Sequence, residues 1–404
     1  TQPYIVPNEI DKYILFARNN FGINSPYIKS IDREILPDAA FKPYNVVIVC
    51  MESMSIYKTG INDSENLTPS LNQIIKESVF FDRFFSSGIH TFNGLFSTCS
   101  GFPNMLTEHS LRRYTRKPFT TLGNLLLKKN YRTSFFSTHD PVFDNMEGFF
   151  KLNGYENIYS SADLPNNKSI SVTGIPDHEL FDLFIKVTNS YPDKKPFLSF
   201  LMTGSDHGPW AVPEEIPFKP DAATEEKRAT QYADWSIGEF MKAAKKQSWY
   251  DNTIFVFLAD HGYVVNGTYE MPISYHNIPL IFHCPKLLKP AINHNLGQQC
   301  DVNATVAGIL NLKYKNDGFG KDILKEKNSF VYFTADDKIG CIDDQGFFFY
   351  ELISQRTKRL RKYLTLDQRD YYVKCKSKSD SLEYAAKSML EAAKYFIRKD
   401  YFSN

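Results

Sequence analysis

Residues 45–53 of this chain read Asn-Val-Val-Ile-Val-Cys-Met-Glu-Ser, an apolar and mostly β-branched run that ends in a carboxylate. A run without polar alternation is typical of a parallel strand that is buried on both faces. Similar short runs follow at residues 197–202, 253–259 and 278–283. The four runs predict the core strands of one buried sheet, and Glu52 stands where the first strand ends.

Helix-like segments separate these strands along the chain. Thr68 is a suitable N-cap for a helix that reaches about Ser78, with Pro69 as its first residue. Further helices are predicted at residues 177–190, 229–246 and 302–310, and a loop or lid rich in proline and charge at residues 211–227. Strands that alternate with helices predict an α/β fold, a doubly wound and mostly parallel sheet with helices on both faces.

The pattern changes after about residue 328. Short runs at Phe330–Thr334, Ile339–Asp343 and Gly346–Leu352 predict antiparallel strands, and residues 381–397 predict an amphipathic terminal helix. We therefore expect three parts, namely an N-terminal connector at residues 1–44, a main domain at residues 45–327 and a small C-terminal α+β subdomain at residues 328–404.

The composition excludes several classes of protein. The 404 residues include 47 Lys and Arg against 46 Asp and Glu, and this balance argues against a nucleic-acid binder. Hydrophobic residues make up 42% of the chain, enough for a large core, and wholesale disorder is excluded. The six cysteines form no C-x-x-C pair, so zinc-ribbon and thioredoxin-like sites are disfavoured. No apolar run reaches the length of a membrane-spanning helix.

Polar side chains follow three of the apolar strands. Glu52 follows the first, Asp206 and His207 follow the strand at residues 197–202, and Asp260-His261 follows the strand at residues 253–259. Ligands of open parallel sheets bind beyond the carboxyl ends of the strands, so these side chains are expected to converge. Carboxylates and an imidazole suit one divalent ion. Taken one by one, each residue could equally be a solvated side chain or part of a turn.

Thr91 is the candidate nucleophile. It lies between a predicted strand at residues 79–85 and a predicted short helix, where backbone N–H groups could stabilise an oxyanion or a phosphate. A divalent ion could activate its hydroxyl near neutral pH. Thr91 could equally be only the N-cap of that helix.

Several segments together resemble the alkaline phosphatase/sulfatase superfamily, and most closely its lipoteichoic-acid-synthase-like branch of phosphoglycerol and phosphoethanolamine transferases. The resemblance covers roughly residues 44–325 and depends on the order and spacing of the segments. They are Asn45-Val-Val-Ile-Val-Cys-Met-Glu52-Ser53, Leu67-Thr-Pro-Ser-Leu71, Phe80-Phe-Asp-Arg-Phe-Phe85, Gly174-Ile-Pro-Asp177, Ser205-Asp-His-Gly-Pro209, Phe257-Leu-Ala-Asp-His-Gly262, Ile278-Pro-Leu-Ile281 and Gly320-Lys-Asp-Ile-Leu324.

The resemblance implies a set of site residues within a sulfatase-like catalytic domain at residues 45–327. One divalent metal ion (Mn²⁺, Zn²⁺ or Mg²⁺) would be held by Glu52, Thr91, Asp260 and His261. Thr91 would also be the nucleophile and form a phospho-threonine intermediate. The residues implied to contact the substrate are His207, which could also assist proton transfer, and His276, His139 and Asp140.

The implied reaction moves a phosphoglycerol- or phosphoethanolamine-type head group from a phospholipid donor to a glycan or lipid acceptor of the cell envelope. The resemblance places this chemistry on the extracytoplasmic face of a bacterial membrane, and it implies a membrane-embedded segment that this chain does not contain. A phosphodiesterase or sulfatase-like hydrolase on the same site is one alternative. A non-catalytic family member that binds an envelope glycan is another.

Two departures from the family patterns bear on the substrate. The lipoteichoic-acid enzymes carry an aromatic-Asn-Arg segment that grips the substrate phosphate, and this chain reads Asp144-Asn145-Met146. Formylglycine sulfatases need C/S-x-P-x-R at the nucleophile, and this chain reads Thr91-Phe-Asn-Gly94. We therefore do not expect formylglycine-dependent sulfatase activity.

Overall fold

The computed structural model describes residues 9–24, 30–60, 65–140, 142–164, 169, 174–264, 270–351, 358–361 and 369–402. Parts of the predicted connector, residues 1–8 and 25–29, lie outside the described residues. So do residues 352–357, 362–368 and 403–404 of the predicted C-terminal subdomain.

The strands are β1 (Arg33–Ile35), β2 (Asn45–Met51), β3 (Val79–Phe85), β4 (Arg132–Ser137), β5 (Asn157–Tyr159), β6 (Phe197–Met202), β7 (Thr253–Ala259), β8 (Asn277–His283), β9 (Ala291–Asn293), β10 (Gly297–Gln298), β11 (Tyr314–Asn316), β12 (Val331–Ala335), β13 (Lys338–Ile342), β14 (Phe347–Glu351) and β15 (Lys358–Arg361). The α-helices are α1 (Ile10–Asn20), α2 (Pro69–Lys76), α3 (Thr91–Ser100), α4 (Ser110–Arg113), α5 (Leu122–Leu127), α6 (Met146–Leu152), α7 (Asp177–Ser190), α8 (Glu225–Ala244), α9 (Asp301–Ile309) and α10 (Lys376–Phe402).

The central sheet has the order β10-β3-β8-β7-β2-β6-β4-β5, and β9 also pairs with β3. Every residue of the four predicted core strands β2, β6, β7 and β8 is buried, as their continuous apolar runs predict. The predicted α/β fold with a mostly parallel, doubly wound sheet is confirmed.

One core strand runs against the others. β8 pairs antiparallel with both β7 and β3, whereas β2 pairs parallel with β6 and β7. Residues 260–276, which join β7 to β8, contain no α-helix in their described part. An antiparallel neighbour needs no crossover helix, so this connection leaves its residues free to line the edge of the sheet.

The long helix α8 begins at Glu225, four residues before the predicted start at residue 229 and inside the predicted loop 211–227. Thr224 is its N-cap and its hydroxyl accepts a hydrogen bond from the Lys227 N–H at 3.3 Å. Glu225 and Glu226 then favour the first turn through the helix dipole. The charges that suggested a loop are therefore part of a helix start.

The C-terminal strands β12, β13, β14 and β15 form a separate antiparallel sheet, and α10 packs on it. Three of these strands match the predicted runs, while β15 was not predicted because its charged residues, Lys-Arg-Leu-Arg, lack an apolar pattern. Helix α1 packs against α10, and β1 pairs with β11. One continuous apolar core joins residues of both sheets. The division at residues 44 and 327 stays a prediction.

Long helices are present, but none of those that the structure describes is apolar enough to cross a bilayer.

Candidate metal centre and nucleophile

Glu52, Asp260 and His261 meet at the carboxyl edge of the central sheet. Strands β2 and β7 are parallel neighbours with Met51 opposite Ala259, so the residues that follow them lie side by side. One potential ligand atom from each of the three side chains lies within 4.8 Å of the others, and all three residues are buried. The predicted convergence of the strand ends is thus observed for this trio.

The two carboxylates of the trio are only partly satisfied by hydrogen bonds. Asp260 Oδ1 accepts from the backbone N–H groups of Ser53 (2.9 Å) and His261 (2.7 Å), and Glu52 Oε1 accepts from the Ser53 hydroxyl at 2.8 Å. Asp260 Oδ2 and Glu52 Oε2 have no hydrogen-bond donor among the described residues. Burial, and then the charge of Asp260, raises the pKa of Glu52 well above its usual value. A bound cation would stabilise the charged form of such buried carboxylates.

The orientation of the His261 ring also suits the binding of a metal ion. Its Nδ1–H donates to the Gly262 carbonyl at 2.8 Å, so Nε2 carries the lone pair. Nε2 lies 3.4 Å from Asp260 Oδ2 and 3.8 Å from Glu52 Oε1. A backbone carbonyl that fixes the tautomer is the usual outer partner of a metal-binding histidine. Two oxygen donors and one imidazole therefore fit a divalent ion such as Mn²⁺, Zn²⁺ or Mg²⁺.

Thr91 is the first residue of α3, and the N-cap position belongs to His90, whose backbone N–H donates to Asn93 Oδ1 at 3.1 Å. The alternative that Thr91 serves only as an N-cap is therefore wrong. Helix α3 lies directly against the metal-ligand loop, because a Cβ added at Gly94 would stand 2.7 Å from the Asp260 Cα. Thr91 lies about one helical turn before this contact.

A cleft of about 370 Å³ opens beside the trio. Thr91, His207 and His261 line it together. Aromatic side chains form much of the remaining wall, namely Phe92, Phe143, Trp210, Tyr263 and Tyr275. Trp210 has a φ of 57°, an uncommon conformation for a bulky residue, in the turn that carries His207.

His207 is exposed in this cleft. Its Nδ1–H donates to the Gly208 carbonyl at 2.6 Å, which leaves Nε2 as a proton acceptor. The preceding residue, Asp206, is buried and paired with Lys58, with Nζ and Oδ2 2.8 Å apart. Nothing in the sequence pattern around Lys58 indicated this pairing.

The other three predicted substrate contacts, His139, Asp140 and His276, lie outside the residues that line the cleft. His139 is buried, stacks on Phe143 with ring centroids 5.0 Å apart, and burial lowers its pKa to about 4. Asp140 is exposed and accepts the Val142 N–H at 2.8 Å. His276 is fully buried and stacks on Phe333 at 4.1 Å, and burial lowers its pKa to about 3. None of the three predicted residues lines the described cleft, and their roles stay predictions.

Residues 144–146, where the chain departs from the family pattern, place an acidic side chain in the wall of the cleft. Asp144 lines the cleft, and Met146 is fully buried. Asp144 Oδ1 accepts hydrogen bonds from His109 Nε2 and Arg112 Nη2, both at 2.9 Å. These two basic residues belong to the start of α4, more than 30 positions earlier, so sequence spacing could not have found them.

The C-terminal sheet contacts the loop ahead of the nucleophile. The Thr334 N–H donates to the Ser87 carbonyl at 3.0 Å, and Asn104 Nδ2 donates to the Thr334 hydroxyl at 2.9 Å. His90 Nε2 lies 3.0 Å from Asp336 Oδ1 in the turn after β12. The small sheet therefore supports the chain just before Thr91.

A buried carboxylate–histidine trio beside a helix that begins with a threonine, at the carboxyl edge of a mostly parallel sheet, defines a class of metal-dependent enzymes that act on phosphate or sulfate esters. The model of the Sulfatase family matches residues 44–312, and the chain belongs to that family. Its members, and those of the alkaline phosphatase superfamily around it, are transferases or hydrolases that generally depend on divalent metals.

Similar proteins of known name include the lipoteichoic acid synthase-like YvgJ of Bacillus subtilis (strain 168), which is 24% identical over 70% of this chain and 50% of its own. A crystal structure of an alkaline phosphatase superfamily protein from Vibrio parahaemolyticus has a TM-score of 0.86 at 22% identity, covering 99% of this chain and 98% of that one. The lipoteichoic acid synthase LtaP of Listeria monocytogenes has a TM-score of 0.73 at 22% identity, covering 95% and 98%.

These matches support the lipoteichoic-acid-synthase-like branch to which the sequence motifs pointed. The chain spans about half the length of the curated relatives that it matches.

Proposed function

We propose that this chain is a metal-dependent phosphotransferase that moves a phosphoglycerol- or phosphoethanolamine-type head group from a phospholipid to an envelope glycan or lipid on the extracytoplasmic face of a bacterial membrane. The observation that carries the proposal is the position of Thr91. It opens α3 in the same cleft as His261, whose ring stands beside the two carboxylates with unpartnered oxygens. The likeness to lipoteichoic acid synthases supports this reaction over other ester chemistry.

In the proposed reaction Thr91 acts twice. Its Oγ forms a bond to phosphorus while the bond from phosphorus to the lipid oxygen breaks, which gives a phospho-threonine and a lipid alcohol. The acceptor hydroxyl oxygen then bonds to phosphorus, the bond to Oγ breaks, and the threonine is restored. Glu52, Asp260, His261 and Thr91 would hold a divalent ion, which would lower the pKa of the threonine hydroxyl and neutralise charge on the phosphate.

His207 moves the protons in this scheme. His207 Nε2 accepts the Thr91 hydroxyl proton as Oγ attacks and passes it to the leaving lipid oxygen, and in the second step it accepts the proton of the acceptor hydroxyl and returns it to Thr91 Oγ. The hydrogen bond from Nδ1 to the Gly208 carbonyl keeps Nε2 as the atom that exchanges protons. The N–H groups of the first turn of α3 stabilise the charge on the phosphoryl oxygens. After both half-reactions Thr91 and His207 are back in their starting states.

The test uses the purified chain with Mn²⁺ and fluorescent phospholipids that carry a glycerol or an ethanolamine head group. Thr91→Ala is expected to abolish lipid alcohol release, while Thr91→Ser, which keeps the hydroxyl, retains part of it. Mass spectrometry of the quenched wild type should find the head-group phosphate on the peptide that contains Thr91. A Thr91→Ala variant with wild-type turnover would refute the proposal.

The same assay separates transfer from hydrolysis. Addition of a glycan or glycolipid acceptor should direct the labelled head group onto that acceptor. If water remains the acceptor under all conditions, the chain is a phosphodiesterase on the same site, and the transferase assignment is wrong.

A further inference from the structure

Lys58 is a buried lysine that touches two of the loops at the proposed site. It ends the short 3-10 turn Ile56–Lys58, on the same connection that starts with Glu52. Its side chain is 6% exposed, and its Nζ lies 2.8 Å from Asp206 Oδ2 and 5.0 Å from the centre of the Tyr263 ring. Asp206 precedes His207, and Tyr263 follows His261 by two positions. One ammonium group therefore joins three strand-end loops.

The Asp206 side of this contact is anchored to a helix. The Thr230 hydroxyl on α8 lies 3.0 Å from Asp206 Oδ1 and 3.2 Å from Oδ2, within donating distance of both. The Asp206 side chain is 1% exposed. Lys58 and Thr230 therefore fix the carboxylate from two sides, and this fixes the start of the turn on which His207 stands.

The backbone of Lys58 is held as well. Its carbonyl accepts the Thr68 hydroxyl at 2.9 Å, just ahead of α2. A buried ion pair is weak support for stability, because desolvation offsets much of the attraction. The same pair is well suited to fixing geometry, because moving either partner leaves an uncompensated charge.

We infer that Lys58 is a positioning residue that, through Asp206, holds His207 in register with the metal-binding loops. This inference rests on the proposed role of His207 in proton transfer. Lys58 itself has no contact with the reacting atoms in the scheme, so its effect should pass through His207.

The experiment is a double-mutant cycle of Lys58→Met and His207→Ala, with turnover of a fluorescent phospholipid, Mn²⁺ affinity by calorimetry and urea unfolding as readouts. Methionine has a similar length and carries no charge. Lys58→Met is expected to lower kcat about 10- to 100-fold, the size of effect that a displacement near 1 Å produces. In the His207→Ala background the same change should alter kcat less than about 3-fold, because effects that share one route are not additive.

Two further variants keep the outcome decisive. Asp206→Asn removes the other half of the pair and should reproduce the cycle if Lys58→Met fails to fold. Lys358→Met is the control, because Lys358, on β15 of the C-terminal sheet, also pairs with a buried acid, Glu383 on α10. We expect it to leave kcat unchanged.

Equal losses of kcat in both backgrounds would overturn the positioning role and leave the proposed function intact. If His207→Ala itself has wild-type turnover, the proton-transfer role in the proposed function fails, and the inference about Lys58 fails with it. Wild-type kcat in both Lys58→Met and Asp206→Asn would overturn the inference alone.

Discussion

Gly94→Ala should lower turnover, although alanine favours the helical conformation of α3 more than glycine does. Alanine in a helix interior is favoured over glycine by up to about 1 kcal/mol, so α3 alone would become more stable. The new methyl group, however, would overlap the Asp260 carbonyl oxygen and lie 2.7 Å from the Asp260 Cα and carbonyl carbon, whereas ordinary contacts begin at 3.4 Å. Helix or loop must therefore move by roughly 1 Å to reach contact distance.

This displacement affects the nucleophile and a predicted metal ligand, which have to act together. Overpacking of this kind destabilises by about 1–3 kcal/mol, more than the gain in helix propensity. Since α3 begins with Thr91 and the opposing backbone belongs to Asp260, the movement separates nucleophile and metal ligand. A misplacement near 1 Å lowers turnover by about 100-fold, so we expect a loss of roughly 30- to 100-fold for Gly94→Ala.

The assay measures phospholipid turnover and urea unfolding for Gly94→Ala beside Gly308→Ala. Gly308 is also helical, but its added Cβ would meet the Asp322 carboxylate, a side chain that can rotate away. We expect Gly308→Ala to keep wild-type turnover. A Gly94→Ala protein that is more stable than wild type and equally active would refute the close-contact argument.

Three other predictions concern metal, acid and the small sheet. Mn²⁺ at 100 times its Kd should raise the free energy of unfolding by about 2.7 kcal/mol, and Glu52→Gln should weaken this gain in a calorimetric titration. Burial lowers the pKa of His283 to about 4, so the folded state binds fewer protons than the unfolded state below pH 6.5. His283 alone should therefore contribute a loss of stability in EDTA of up to about 3 kcal/mol from pH 6.5 to 4, and His283→Gln should remove that contribution and make the slope shallower in urea titrations. Thr334→Val removes the hydroxyl that accepts from Asn104 and lies 3.3 Å from the Ser87 carbonyl, and it should lower turnover a few-fold with little change in Mn²⁺ affinity, whereas equal losses in both would contradict a role limited to the loops that flank α3.

The parts of the fold that the sequence predicted are those with a local signal. Continuous apolar runs identified β2, β6, β7 and β8 because strands covered on both faces carry no polar residues. The direction of β8 was not predictable in this way, since a buried run reads the same in a parallel and an antiparallel strand. The charged strand β15 left no pattern at all, because its pairing with β14, not its own composition, defines it.

The residues of the site differ in the same way, because only some of them have a local signal in the sequence. Glu52, Asp260 and His261 could be predicted because each follows a strand, and neighbouring parallel strands bring their ends together. What sets the distances between these groups comes from remote parts of the chain. Lys58 and Asp206 are 148 positions apart, and Gly94 meets Asp260 across an even longer separation.

Such contacts depend on the packing of helices on the finished sheet, so they carry no signature in a local pattern. The residue types of a site can therefore be predicted from the residues that follow the strands. Its geometry depends on residues such as Lys58 and Gly94, which no local pattern distinguishes from others of their type. Gly94→Ala and Lys58→Met test that distinction directly, because neither change removes a ligand, a nucleophile or a proton carrier. If both variants lose turnover while keeping Mn²⁺ affinity within a few-fold, the positions of the catalytic side chains, and not only their types, limit turnover at this site.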